Sequence, residues 1–376
     1  MTEKRIRICF VIDTMEVGGT ENQLLTLISS LDPKKFKTYL VCLKHSHTLR
    51  DIPAGSEKIV LDLNSFKSPK FIFKLLEFRS FLRKEQIEIV QAYFFDANIF
   101  AILSAKLASV KKIISCRRDM GFWYNRRKLF TLRLINGCVD RFLVNSNAIK
   151  GNLSKMEKVP LGKIDVIYNG IRPERYACDD ADERDRLRKE FKIPADHIVV
   201  GCTANLNRKV KRVDRFIRAA ALISRSATKV SFLIIGDGYL RDELAGLAND
   251  LGIGDKIVFT GLRSDVPALL KVIDIGVLTS DSEGISNSIL EYMAVGIPAV
   301  VTDVGGNPEL IEDNREGFLV HPEIEAISDS VLKLINNPEL RHTLGRNGRQ
   351  KACTVFSLKS MVQKTENYYF RLVRSD

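Results

Sequence analysis

The sequence predicts an α/β protein of two consecutive doubly wound, Rossmann-like domains, each a parallel sheet flanked by helices. Three observations carry that prediction. The chain has 376 residues, and at roughly 150 residues per domain this suggests two or three domains. Short apolar runs alternate with helical patterns, as parallel βαβ units require. The alternation breaks once, over Ile171–Asp196, and then restarts.

The first half opens with an apolar strand at Arg7–Ile12, a glycine loop at Gly18-Gly19-Thr20 and a helical pattern from Glu21 to Leu31. Strands follow at Thr38–Leu43, Ile59–Leu61, Glu88–Gln91 and Lys112–Ser115, with helices across Pro69–Lys84 and Ala97–Ala108. Arg141–Val144 and Asp165–Ile167 are the last strands of this half. The break contains Pro173, a charged run from Asp179 to Glu190 and Pro194, and reads as a connection plus a surface helix. The second half resumes with strands at His197–Thr203, Lys229–Ile235, Lys256–Thr260, Ile275–Leu278 and Pro298–Thr302, and helices at Val213–Ser224 and Leu240–Leu251. Residues 1–170 and 171–356 thus form the two domains. Residues 357–376 read as a helix packing back on the first, with Met361, Tyr368, Tyr369 and Leu372 at apolar positions. Two such sheets facing across a cleft would bind a ligand at their strand C-terminal ends.

Composition narrows the class. Hydrophobic residues make up 45% and charged residues 28%, the balance of a globular protein rather than a disordered one. No apolar run reaches the eighteen or so residues that cross a bilayer, and the N-terminus lacks a signal-peptide pattern, so a cytoplasmic location is expected. Seven scattered cysteines form no C-x-x-C pair, and the five histidines form no metal-ligand pattern. Residues 1–170 hold 29 Lys and Arg against 16 Asp and Glu, a net of +13, whereas the remainder nets −1. A basic half suits an anionic partner such as membrane lipid, nucleic acid or a phosphorylated acceptor; a solubilising surface is the plainer reading.

The segment richest in chemistry runs from Thr279 to Pro298. Glu283 should lie on a loop at a strand's C-terminal end, with a helix starting near Ser286-Asn287-Ser288. Free backbone N–H groups there suit a diphosphate. Glu291 lies eight residues on, about 12 Å if all were helical, too far for two carboxylates acting on one bond but suited to gripping two parts of a long ligand.

Glu283-x7-Glu291, Ala294-x-Gly296-x-Pro298 and Asp303-x-Gly305-Gly306-x-x-Glu309 resemble the signature of the retaining GT-B glycosyltransferases of family 4. The resemblance extends through Gly18–Glu21, Val144–Ser146, Val166–Ile171, Ile235–Gly238 and Phe259–Gly261, in the family's order. It implies that the C-terminal domain holds a nucleotide-sugar donor and the N-terminal domain presents a glycan or lipid-linked acceptor. No metal or other cofactor is expected. By the same resemblance Glu291 takes the ribose hydroxyls, Glu283 the donor sugar, and Gly284, Ile285, Ser286, Asn287 and Ser288 lie near the diphosphate and sugar. Lys211 matches the family lysine that neutralises the diphosphate. Asn205 stands where the family has an arginine, and Arg208 is available to substitute. The family histidine near the donor sugar has no counterpart in Ser115–Gly121, leaving Arg117, Arg118 and Asp119 for other roles: the two arginines suit an anionic acceptor, and Asp119 joins Glu283, Lys211 and Arg208 as a catalytic candidate.

Other features divide between two readings. Gly18 and Gly19 suit a phosphate-binding loop or merely a tight turn. Ile235–Gly238 is half a dinucleotide fingerprint and is assigned to donor-side loop structure. Asp179, Asp180 and Asp182 read as a solvated face rather than a metal site. In Phe66–Lys84, Phe71, Leu75, Phe78 and Leu82 fall at helical spacing among Lys67, Lys70, Lys74, Arg79, Arg83 and Lys84. Packing on the sheet explains the stripe; with Phe122–Lys128 the basic excess adds docking on an anionic membrane, peripheral on its cytoplasmic face. No helix-turn-helix, RRM or zinc-finger pattern supports a nucleic-acid partner. A nicotinamide dehydrogenase lacks its opening glycine fingerprint. A GT-B epimerase or phosphorylase is the nearer alternative.

Overall fold

The structure, a computed structural model, describes residues 5–16, 18–45, 56–63, 66, 70–176 and 181–374. Lys67, Pro69, Cys178, Asp179 and Asp180 lie outside the described residues. The chain divides into two compact units, Met1–Asn169 with Met361–Asp376, and Gly170–Ser360.

In the first unit the elements run β1 (Ile6–Ile12), α1 (Gly19–Ser30), β2 (Phe36–Cys42), β3 (Glu57–Val60), α2 (Lys70–Lys84), β4 (Ile89–Ala92), α3 (Phe95–Ala108), β5 (Lys112–Arg117), α4 (Arg126–Ile135), β6 (Arg141–Val144), α5 (Asn147–Glu157) and β7 (Ile164–Val166). Among the described residues they form a seven-stranded parallel sheet in the order β3-β2-β1-β4-β5-β6-β7. Ile8 to Ile12 of central β1 are wholly buried, since helices cover both faces of such a sheet. Leu75, Phe78 and Leu82 of α2, Phe100 of α3, Leu132 of α4 and Leu153 of α5 share one core.

The second unit runs α6 (Ala181–Glu190), β8 (Ile198–Thr203), α7 (Val213–Ser226), β9 (Val230–Ile235), α8 (Arg241–Asp250), β10 (Ile257–Phe259), α9 (Val266–Leu270), β11 (Ile275–Leu278), α10 (Asn287–Val295), β12 (Ala299–Thr302), α11 (Asn307–Leu310), β13 (Gly317–Val320), α12 (Ile324–Asn336) and α13 (Pro338–Thr354). Its parallel sheet has the order β10-β9-β8-β11-β12-β13. A last helix, α14 (Leu358–Arg374), belongs from Met361 onward to the first unit. There Tyr369 is buried, meets Phe36 edge-on at 6.0 Å, and donates its hydroxyl to Gln91 Oε1 at 2.8 Å.

Both sheets reverse strand order once, between β1 and β4 and between β8 and β11. Ligand crevices of open α/β sheets form at such reversals, so the loops after these four strands are where chemistry is placed.

The structure bears out sheet packing for the apolar stripe of α2 and adds an outer apolar face to it. Phe71, Leu75, Phe78 and Leu82 of α2 face the core, while Ile72, Phe73 and Leu76 stand 65%, 68% and 48% exposed. The aromatics of Phe122–Lys128 are mostly structural. Trp123 and Tyr124 pack on the core, Lys128 lies over the Trp123 ring at 5.1 Å, and only Phe122 is exposed.

Candidate active site

In the second unit the loops flanking the strand reversal carry Lys211 and Glu283. Lys211 Nζ lies 2.7 Å from Glu283 Oε1, which also accepts the Ser280 hydroxyl at 2.6 Å. The side chains are 17% and 8% exposed, so the pair is shielded from water and its geometry fixed. The backbone holds Lys211 in place. Arg212 adopts φ 49°, the Thr279 hydroxyl donates to Arg212 O at 2.7 Å, and Arg215 donates to Thr279 O at 2.7 Å. Arg212 pairs with Asp214 and Asp281, so its charge is already compensated.

Glu283 and Gly284 lie against Gly305 and Gly306. A Cβ on Gly305 would fall 1.9 Å from Glu283 O and one on Gly306 1.9 Å from Gly284 O, which is why two glycines stand there. Helix α10 then starts behind Ser286. Its N-cap side chain makes no capping bond, and the Ser286 hydroxyl is buried without a partner. Ser288 instead donates its hydroxyl to Thr203 O at 2.9 Å. Ile285 is buried, and Asn287 opens the helix. Glu291 lies one turn further along, and α10 packs against the turn Pro173–Tyr176. Burial raises its pKa to about 7, with Arg175 pulling the other way.

The loop after β8 has its own supports. Asn205 Oδ1 accepts the backbone N–H of Asn207 at 2.8 Å, an Asx turn. Arg208 is exposed, three residues before Lys211. A Cβ on Gly236 would fall 1.9 Å from Ala204 O and one on Gly238 2.4 Å from Asn207 N, so these glycines let the two loops touch.

In the first unit Gly18 is the extended N-cap of α1, and a Cβ on it would meet Glu21 Oε2 at 2.2 Å. The 94%-buried Glu21 therefore sets a carboxylate against this helix N-terminus. That is a physical reason for a glycine at position 18. Across the reversal, Asp13 accepts the Ala97 N–H at 2.6 Å; burial raises its pKa to about 7, with that bond opposing. The sequence reading missed Asp13, although an acid just past an apolar strand is the available signal.

Arg117 is not placed to bind an acceptor. Its guanidinium is buried and grips Glu157 through Nε and Nη2, both at 2.8 Å. Burial pushes the Glu157 carboxyl up, but Arg117 outweighs it and holds the group below its usual value. Asp119 serves its own loop. Its Oδ1 accepts from Gly121 N at 2.7 Å and Trp123 Nε1 at 2.9 Å.

Comparison with known proteins joins the two units. Residues 17–175 match the family described as Glycosyltransferase Family 4, and residues 183–351 match Glycosyl transferases group 1. The chain is a GT-B glycosyltransferase of the family 4 type. Among curated glycosyltransferases, it is 25% identical to the UDP-Gal:alpha-D-GlcNAc-diphosphoundecaprenol alpha-1,3-galactosyltransferase of Escherichia coli, over 99% of this chain and 98% of that one. It is 30% identical to the N-acetyl-alpha-D-glucosaminyl L-malate synthase of Bacillus anthracis, over 58% of this chain and 56% of that one. Among solved structures, Anabaena HepE in complex with UDP and glucose superposes with a TM-score of 0.86 at 21% identity, covering 97% and 99% of the two chains. The glycosyltransferase WaaG superposes at 0.77 and 17% identity, covering 96% and 99%. These superpositions carry the GT-B fold.

Proposed function

We propose that this glycosyltransferase moves a sugar from a nucleotide-sugar donor to a hydroxyl of a glycan or lipid-linked acceptor, with retention at the anomeric carbon, in the assembly of a cell-surface polysaccharide or lipopolysaccharide. The observation that carries the reading is the placement of Lys211 and Glu283 beside an α10 N-terminus whose Ser286 hydroxyl is buried and unpartnered. The diphosphate gains charge as the glycosidic bond breaks. Lys211, the α10 N–H groups and exposed Arg208 supply the positive field it needs. Glu283 contacts the sugar and orients Lys211, and Glu291 accepts the ribose hydroxyls. The acceptor attacks on the face the diphosphate leaves, through an oxocarbenium-like state, and a donor phosphate oxygen takes the acceptor proton. The relatives support this reading, one named for UDP-Gal and a diphosphoundecaprenol acceptor and another holding UDP and glucose. A thermal-shift panel of nucleotide sugars tests it, since a donor at 100 times Kd adds about 2.7 kcal/mol. NMR of the product's anomeric proton then reads retention, and absence of any donor shift overturns the reading.

The first unit is also the side we assign to an anionic membrane. Ile72, Phe73 and Leu76 on α2 and Phe130 and Leu134 on α4, the last two 69% and 71% exposed, stand among Lys70, Arg79, Arg126 and Arg127. No described helix is long and apolar enough to cross a membrane, so attachment would be interfacial. Flotation with anionic liposomes should be strong in low salt and fade as salt rises. Equal behaviour on neutral liposomes would sink it.

A further inference from the structure

Arg117 and Arg118 are neighbours at the end of β5 with opposite surroundings. Arg117 is matched by Glu157, Ser115 and Asn136. Arg118 pairs with no carboxylate among the described residues. Its guanidinium lies over the Tyr93 ring at 5.4 Å, its Nη1 is 3.4 Å from Asn169 Oδ1, and its Nε is buried without an acceptor. A guanidinium stays protonated, so a shielded one without a counter-ion is costly unless a ligand brings the negative charge. The side chain is also held from beneath. Tyr369 of α14 donates to Gln91, and Gln91 Nε2 donates to the Tyr93 oxygen at 2.6 Å, which fixes the ring on which Arg118 rests.

A second group points to the same ligand. Asn145, at the end of β6, is only 2% exposed, and its Oδ1 has no partner. Its Nδ2 lies 3.5 Å from the Asn169 Oδ1 that also faces Arg118. The ends of β4, β5, β6 and β7 thus gather Tyr93, Arg118, Asn145 and Asn169, with a cation lacking an anion beside an amide oxygen lacking a donor.

We propose that this cluster recognises a hydroxylated oxyanion on the acceptor, Arg118 taking a phosphate or carboxylate and Asn145 Oδ1 accepting a neighbouring hydroxyl. It rests on the glycosyl-transfer reading only in naming the anion as part of the acceptor. Isothermal titration of the full chain with glycerol phosphate, inorganic phosphate, malate and succinate tests it, and Lys211→Met removes the second unit's lysine as a competing anion contact. Wild type and Lys211→Met should bind the anions in a salt-sensitive way. Arg118→Met should lose at least ten-fold, and Arg118→Lys should keep part of the affinity. Asn145→Leu should erase the preference for malate over succinate and for glycerol phosphate over phosphate. The arms also report which oxyanion is preferred. No binding to wild type at tens of millimolar, equal binding to a folded Arg118→Met, or loss of binding in Lys211→Met alone would overturn the proposal. A nucleotide-sugar shift retained in Arg118→Met would leave the donor reading standing whichever way this falls.

Discussion

Helices α1 and α10 follow glycine-bearing or polar loops at the strand reversals of their sheets, yet their N-termini differ. At α1 the chain's own Glu21 carboxylate lies against Gly18, so negative charge is already present. At α10 the Glu283 carboxylate, three residues before the N-cap, is bound to Lys211, and Ser286 leaves a buried hydroxyl unused. The same local architecture thus carries an acidic side chain of its own at one helix terminus, whereas at the other the preceding carboxylate is already paired with a lysine. Anion binding follows what occupies the helix terminus, not the presence of glycines.

The largest effect expected is at the ion pair. Lys211→Met leaves Glu283 shielded without its cation, which in a buried pair costs about 3–5 kcal/mol. The melting temperature should fall, and the preference for a nucleoside diphosphate over the bare nucleoside should disappear. Lys211→Met with Glu283→Gln should regain much of the stability but none of the preference. If Lys211→Met keeps both, the paired-terminus reading fails.

Next comes Glu291. Its folded pKa of about 7 lies above its ordinary value, so the fold favours the protonated form. Its contribution to stability is therefore full at low pH, declines as pH rises through about 4.5 to 7, and is level above that. Ribose hydroxyls need the carboxylate, so donor affinity should rise with pH up to about 7. Glu291→Gln should bind donor more weakly, with that rise removed, and be at least as stable as wild type at pH 8. Binding titrations and melting curves from pH 5 to 8 read both.

The smallest effect separates the two helix ends directly. Ser286→Ala removes an unpartnered hydroxyl, so the free protein should melt within about 0.5 kcal/mol of wild type, while diphosphate binding weakens by about 1 kcal/mol. Gly18→Ala should do the reverse, displacing Glu21 and lowering stability without changing nucleotide affinity. Matching behaviour of the two variants would erase the distinction.

The alternation of apolar runs and helical patterns made the two-domain fold legible, and spacing alone put Glu283 on a loop and Ser286 before a helix. Helices α4, α5, α12 and α13 and strand β13 escaped notice; in α4 only Leu132 and Ile135 are buried and in α5 only Ile149, Leu153 and Glu157, so the inward faces of these two are narrow. The exposed side of α2 was hidden for a related reason. The core stripe and the outer Ile72, Phe73 and Leu76 interleave in sequence, and only the packing separates them. Arg117 and Arg118 are identical as letters; their difference depends on Glu157, forty residues away, and on the ends of four strands.

The membership of α14 has a consequence for the order in which the protein can be completed. Residues 170–360 are contiguous and can close their sheet and core as soon as they are made. The first unit is interrupted, because Tyr368, Tyr369 and Leu372 fill its surface from the far end of the chain. Synthesis must reach residue 369 before Phe36 meets this aromatic partner and Gln91 receives the Tyr369 hydroxyl. Until then the ring beneath Arg118 lacks its support, so the earlier-made half of the molecule matures last, and its oxyanion site with it.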